Sequence, residues 1–156
     1  MDTIRNIEAE DIPALKAILG TIELFPPEAL DEMLADYLNN PETEAIWMTF
    51  VAAGVPLGLL YCAPEHLTNG TYNLYAIGVS KERQGAGIGR QLMQALEKKL
   101  SESGARILIV DTSGKEDFAL TRKFYQQLGY EKEAVIRDFW DTGDDKVTFR
   151  KVLKEQ

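Results

Sequence analysis

The run Val79-Ser-Lys-Glu-Arg-Gln84-Gly85-Ala86-Gly87-Ile88-Gly89-Arg90 is the segment best suited to chemistry. Glycines at alternate positions remove side chains, so the backbone can approach a ligand and several N–H groups can point at it. The run stands between a strand-like segment and a helical one. Unpaired amides and the positive dipole end at a helix start favour an anion such as a pyrophosphate. Arg83 and Arg90 add local positive charge. A glycine-rich turn that binds nothing would use the same residues, so both readings stand at this point. Spacing excludes two other anion loops. No GxxxxGK[ST] run exists, and the GxGxxG dinucleotide pattern fails because Arg90 stands three positions beyond Gly87. What remains is Q-x-x-G-x-G on Gln84, Gly87 and Gly89.

Hydrophobic periodicity supplies the elements around this loop. Thr3–Ile7 reads as a short strand. Ile12, Leu15, Ile18 and Leu19 recur at helical spacing behind Glu8, Glu10 and Asp11, acids that suit a helix start. After the Leu24–Phe25–Pro26–Pro27 corner, Glu28–Asn39 repeats the helical pattern. Ala45–Ala52 and Pro56–Cys62 read as strands joined by an Ala53–Gly54 hairpin turn, Pro64–Gly70 as a loop and Thr71–Val79 as a strand. Ile88, Leu92, Leu96 and Leu100 line a helix ending near Gly104. Ile107–Val110 is a continuous apolar run, the pattern of a strand covered on both faces. Phe118–Leu128 reads as a helix ended by Gly129. Tyr130–Phe139 and Lys146–Leu153 read as closing strands around a turn-rich Asp141–Asp145. The order is β-α-α-β-β-β-α-β-α-β-β, an α+β fold.

The 156 residues, 17.5 kDa, suit one domain over 1–156. Apolar residues at 45% and charged residues at 27% exclude a disordered chain. No apolar run approaches the roughly 20 residues needed to cross a bilayer, and the first residues carry no secretory pattern. Seventeen basic against 25 acidic residues leave a net charge of −8, which repels a phosphate backbone. Neither nucleic acid nor membrane is therefore expected as a partner. Cys62 is the sole cysteine and His66 the sole histidine, so no internal disulfide and no metal-ligand pattern can be built. Cys62 reads as a buried strand residue and His66 as a loop residue; a reducing, cytoplasmic location fits.

The Gln84–Gly89 run resembles the [RQ]-x-x-G-x-[GA] signature of the GNAT superfamily of acyl-CoA-dependent N-acetyltransferases, at every defined position. Ala76-Ile77-Gly78-Val79-Ser80 is similar to the strand and turn that lead into it. Arg122-Lys-Phe-Tyr125-Gln-Gln-Leu-Gly129-Tyr130 looks like the helix ending Y-x-x-x-G-[FY] in that family. The element order agrees, so the resemblance covers essentially the whole chain. It implies a seven-stranded mixed central sheet flanked by about four helices. Two positions depart from the pattern: Phe118 stands where the family often has Asn, and Thr121 where it often has Ala. The usual Asn contact to the cofactor is missing there, leaving Thr112-Ser113-Gly114, or Thr121 and Arg122, as substitutes.

The resemblance also implies roles. Acetyl-CoA becomes the cosubstrate, held by the loop residues Gln84, Gly85, Ala86, Gly87, Ile88, Gly89 and Arg90 and by main-chain groups of Ile77 and Val79. Tyr125 matches the position that protonates the departing thiolate; a phenol stays protonated at neutral pH. Glu65 is the first choice of general base, with Asp111, Tyr72 and Tyr75 as alternatives. The acceptor would lie at Glu23–Pro27 and Phe139–Asp145, where aromatics beside carboxylates suit a small cationic amine; a hydrophobic corner and a polar hairpin are the equal reading. The expected activity is acetyl transfer to a primary amine of a small molecule, peptide or protein, with no metal. An acyl-CoA sensor without turnover, and a purely structural partner protein, are the rivals. A homodimer is also consistent with the resemblance.

Overall fold

The protein is described from a computed structural model covering residues 2–153; the expected domain of 1–156 extends past these, so Met1 and Lys154–Gln156 lie outside the described residues. Seven strands and four α-helices follow the expected order: β1 (Thr3–Asn6), α1 (Ile12–Leu19), α2 (Leu30–Asn39), β2 (Ile46–Ala52), β3 (Val55–Pro64), β4 (Thr71–Val79), α3 (Ile88–Glu102), β5 (Ile107–Ser113), α4 (Ala119–Gln127), β6 (Glu131–Asp141) and β7 (Asp144–Val152). The strand order is β1-β2-β3-β4-β5-β7-β6. The β4–β5 pairing is parallel, while β1–β2, β2–β3, β5–β7 and β6–β7 are antiparallel, so the sheet is mixed. The chain forms two compact units, Met1–Ala63 with Tyr75–Lys98, and Pro64–Leu74 with Lys99–Gln156.

In the first unit, Ile7, Leu15, Ile18, Leu30, Leu34, Trp47 and Leu59 form one buried cluster. The helical spacing of the leucines and isoleucines sets one face of α1 and α2 against strands β2 and β3. The Ala53–Gly54 turn joins β2 to β3 with both residues at positive φ, +50° and +78°, as two-residue hairpins require. The helix expected from Glu28 begins as a tight 3₁₀ turn, Pro27–Ala29, and becomes α-helical at Leu30.

The acids ahead of α1 do more than complement a dipole. Asp11 is buried, accepts two hydrogen bonds from the Arg5 guanidinium at 2.7 and 2.8 Å, and accepts the Glu8 N–H at 2.8 Å. The Arg5 hydrogen bonds hold its carboxyl below the usual carboxylate range. A carboxyl lowered on folding stabilises the protein above its unfolded pKa, and that stabilisation is lost as pH falls through the lower folded value. Asp11→Asn is expected to cost about 1–2 kcal/mol at neutral pH. The variant should also flatten the acid limb of stability against pH, measured by urea melts between pH 7 and pH 2.

In the second unit, β5 departs from the expectation of a strand covered on both faces. Leu108 and Val110 are buried, but Ile107 and Ile109 are only half-buried. Val110 pairs with Phe149, whose ring lies 5.9 Å from that of Tyr125 on α4, so that face is core. Ile109 and Asp111 lie on the other face, beside Asn73 and Thr148. The helix expected at Phe118–Leu128 is α-helical over Ala119–Gln127, after a 3₁₀ turn at Glu116–Phe118. Both closing strands run further than expected, leaving only Thr142–Gly143 between them.

Candidate active site

In the first unit the glycine run sits between the end of β4 and the start of α3. Gln84, Gly85, Ala86 and Gly87 are exposed, Gly89 is half-buried and Arg90 is exposed. Gly85 and Gly87 both have φ of +85°, and nothing lies within 4 Å of where a Cβ would stand on either. The main chain here is open to a ligand, in a conformation that L side chains resist. Ile88 is buried, so its side chain is core and only its amide can serve an anion. The Gln84 Nε2 donates to the Val79 carbonyl at 3.2 Å, which ties the first signature residue to the strand end. The open space over two glycines at the start of a 15-residue helix fits a pyrophosphate.

Two glycines that the sequence reading did not single out position this loop. A Cβ on Gly58 of β3 would lie 3.2 Å from Ile88 Cγ2 and from Leu92 Cδ1, so Gly58 lets the first turns of α3 press against the strand. A Cβ on Gly78 would lie 2.6 Å from Ile22 Cδ1 and 3.1 Å from Leu24 Cδ2. The corner after α1 therefore packs directly on the β4 backbone. Tyr75 shares this face, since its ring lies 5.4 Å from Tyr61, which stacks at 4.3 Å on Trp47 of the buried cluster. Ile77, expected to offer main-chain groups, lies between Tyr75 and Gly78 and is half-buried. The parallel register of β4 with β5 runs from Thr71 with Ile107 to Leu74 with Val110.

In the second unit, Tyr125 is 4% exposed and its ring is surrounded by Phe124, Tyr130 and Phe149, with centroids at 5.3, 6.0 and 5.9 Å. Burial pushes its phenol well above the ordinary value, so the proton stays on. The expected base, Glu65, follows β3, where its N–H donates to the Thr71 carbonyl at 2.9 Å. Asn73 brings it together with Asp111. The buried Asn73 amide donates to Glu65 Oε1 at 3.4 Å and to Asp111 Oδ2 at 3.3 Å, and Thr148 Oγ1 donates to Asp111 Oδ1 at 2.6 Å. The two carboxylates weighed as alternatives in the sequence thus share one amide. An Asn inside the apolar run Tyr72-Asn73-Leu74 was the available signal for this network.

The suggested substitutes for the missing Asn are largely committed to local structure. One Arg122 nitrogen donates to the Ser113 carbonyl at 2.8 Å and the Lys115 carbonyl at 2.7 Å. Ser113 Oγ bonds the Asp144 carboxylate and accepts the Lys115 N–H at 3.0 Å. These bonds pin residues 113–115 ahead of α4. Phe118 is 40% exposed. Cys62 is buried, with its thiol pushed up to about 12 by burial, which makes it an inert strand residue. His66 is exposed in the loop after β3. Among the described residues no group of His, Cys, Asp and Glu could hold a metal ion, and no helix is long and apolar enough to cross a membrane.

Comparison with known proteins agrees with this geometry. The sequence model of the Acetyltransferase (GNAT) family matches residues 2–130. A GNAT-family protein from Desulfovibrio desulfuricans superimposes with a TM-score of 0.90 at 28% identity, over 99% of this chain and 100% of that one. The ribosomal-protein-S18-alanine N-acetyltransferase of Escherichia coli gives 0.81 at 20% identity, over 100% and 96% of the two chains. An aminoglycoside 6'-N-acetyltransferase complexed with coenzyme A gives 0.80 at 17%, over 99% and 98%. The last two likenesses are of fold. No curated protein sequence matches significantly. With its family signature, element order and strand order in agreement, the chain belongs to the acetyltransferase (GNAT) family.

Proposed function

We propose that this protein is an N-acetyltransferase that moves an acetyl group from acetyl-CoA directly to a primary amine of a small molecule, peptide or protein. The observation that carries the reading is the exposed Gly85–Gly87 turn, with nothing within 4 Å of where a Cβ would stand on either glycine, opening a 15-residue helix in a GNAT-family chain. Its main-chain amides, with Gln84, Ala86, Ile88, Gly89 and Arg90, would hold the pyrophosphate. Bound acetyl-CoA supplies the thioester carbonyl that the amine attacks.

The remaining work falls to the chain's own groups. Main-chain groups at Ile77 and Val79 orient the pantetheine arm and the carbonyl oxygen; donors aimed at a developing charge carry much of the catalysis in acyl transfer. Glu65, held through Asn73 beside Asp111, takes the amine proton, directly or through water. The Tyr125 hydroxyl donates to the sulfur as the C–S bond breaks. An acidic chain with one buried cysteine suits a cytoplasmic location.

The test combines binding with turnover. CoA at 100 times its dissociation constant is expected to stabilise the fold by about 2.7 kcal/mol, seen as a raised melting temperature, whereas ATP and NADH should have little effect. A panel of amines with acetyl-CoA should then release free thiol and yield a product heavier by one acetyl group. Binding without product across the panel would support the sensor reading, and no binding would overturn both.

A further inference from the structure

The β4–β5 ladder ends at Leu74 with Val110, while β4 continues to Val79. Within the first unit, the two faces of that continuation are filled differently. On the α3 side, Ile88 and Leu92 press into the room left by Gly58, whose Cβ would also stand 3.2 Å from the Gly78 carbonyl oxygen. Ile88 and Leu92 are buried, so that side is core. On the other side stands the corner after α1. Ile22 Cδ1 and Leu24 Cδ2 occupy the space that a side chain on Gly78 would take, at 2.6 and 3.1 Å from its Cβ position.

The corner is tied down at that place. The Lys81 N–H, just past β4, donates to Thr21 Oγ1 at 3.3 Å, and the Thr21 hydroxyl donates to the Ile18 carbonyl at 2.7 Å. Ile22 packs against the buried cluster of the first unit, whereas Leu24 is 36% exposed. One glycine thus faces an inner side chain anchored in the core and an outer one at the surface. Gly78 lies between Ile77 and Val79, whose main-chain groups would orient the pantetheine arm and the thioester oxygen. An acyl group held there would be kept from the closed α3 side and would meet Ile22 and Leu24.

We propose that Ile22 and Leu24 form a wall that limits the length of the acyl chain, so that acetyl-CoA is accepted and longer acyl-CoA thioesters are rejected. The inference rests on the acetyl-transfer reading and adds to it the class of acyl donor. Extra methylenes pressed against a close-packed wall oppose binding. The test is isothermal titration with CoA, acetyl-CoA and butyryl-CoA, beside circular dichroism of every variant. The wild-type protein should bind butyryl-CoA roughly tenfold to a hundredfold more weakly than acetyl-CoA. Leu24→Ala removes three carbons where butyryl adds two, and the exposure of Leu24 lets the fold survive the change. Ile22→Val removes Cδ1 alone, the atom nearest the Gly78 Cβ position. Either should narrow the gap about fivefold or more, with CoA affinity as in the wild type. Leu38→Ala, a like truncation on α2, should leave the gap unchanged. Equal affinities of the wild type for acetyl-CoA and butyryl-CoA would overturn the proposal. So would a gap that neither folded variant narrows, or one that Leu38→Ala narrows as much. Failure of CoA itself to bind would overturn the acetyl-transfer reading, and this inference with it.

Discussion

Tyr125→Phe is expected to lower turnover about 10²–10³-fold, the cost of losing one donor aimed at developing charge. The melting temperature and CoA affinity should barely move. Burial raises the phenol above its ordinary value, while an ordinary thiol titrates near ~8.5. In the proposed reaction the phenol would therefore keep the larger share of the proton and stabilise the departing sulfur by hydrogen bonding. Phenylalanine retains the ring against Phe124, Tyr130 and Phe149, so packing is nearly conserved. Rates at saturating amine and acetyl-CoA, beside a melt of the same sample, make the measurement. Full turnover would remove Tyr125 from the reaction. A fall in stability without a fall in rate would mark the hydroxyl as structural.

Gly89→Glu should abolish measurable CoA binding, a loss of at least about a hundredfold, or roughly 2.7 kcal/mol, while the protein remains folded. The choice of glycine matters. Gly87 sits at φ of +85°, so any side chain there strains the backbone and confuses loss of binding with local misfolding. Gly89 lies in the first turn of α3, where a helical backbone accepts a side chain and a carboxylate suits the dipole. The same carboxylate would occupy the pyrophosphate's space and repel it. Isothermal titration with CoA, alongside circular dichroism, reads both properties. Unchanged affinity in a folded variant would place the anion elsewhere.

Much of the fold was legible because local periodicity and turn chemistry coincide with tertiary need. Thr71–Val79 ran its expected length, and Gly129, at φ of +93°, ended α4 where a left-handed residue was required. Strand ends were less legible: Asp141, Asp144 and Asp145 read as turn residues, yet β6 runs to Asp141 and β7 starts at Asp144, where the two pair. The apolar run Ile107–Val110 concealed a half-covered strand, because Ile109 packs beside polar groups that come from Asn73 and Thr148, distant in sequence. The exposed turn of the glycine loop could be read directly, since that geometry is local. The Glu65–Asn73–Asp111 network could not, because one amide joins carboxylates contributed by separate segments. Gly58 and Gly78 were silent for a related reason: what a glycine makes room for is visible only once its neighbours are placed.

The burial of Cys62 has a practical consequence for measuring this protein. Acetyl transfer releases one thiol per turnover, and a chromogenic disulfide that counts thiols is the direct way to follow it. The chain's only thiol is fully buried, and burial pushes it up to about 12, so the folded protein contributes almost no thiolate to the signal at neutral pH. The protein can be used at high concentration against a candidate acceptor without a rising blank. A slow first-order rise in enzyme-only controls would then time the opening of β3, making Cys62 a clock for unfolding in the same cuvette.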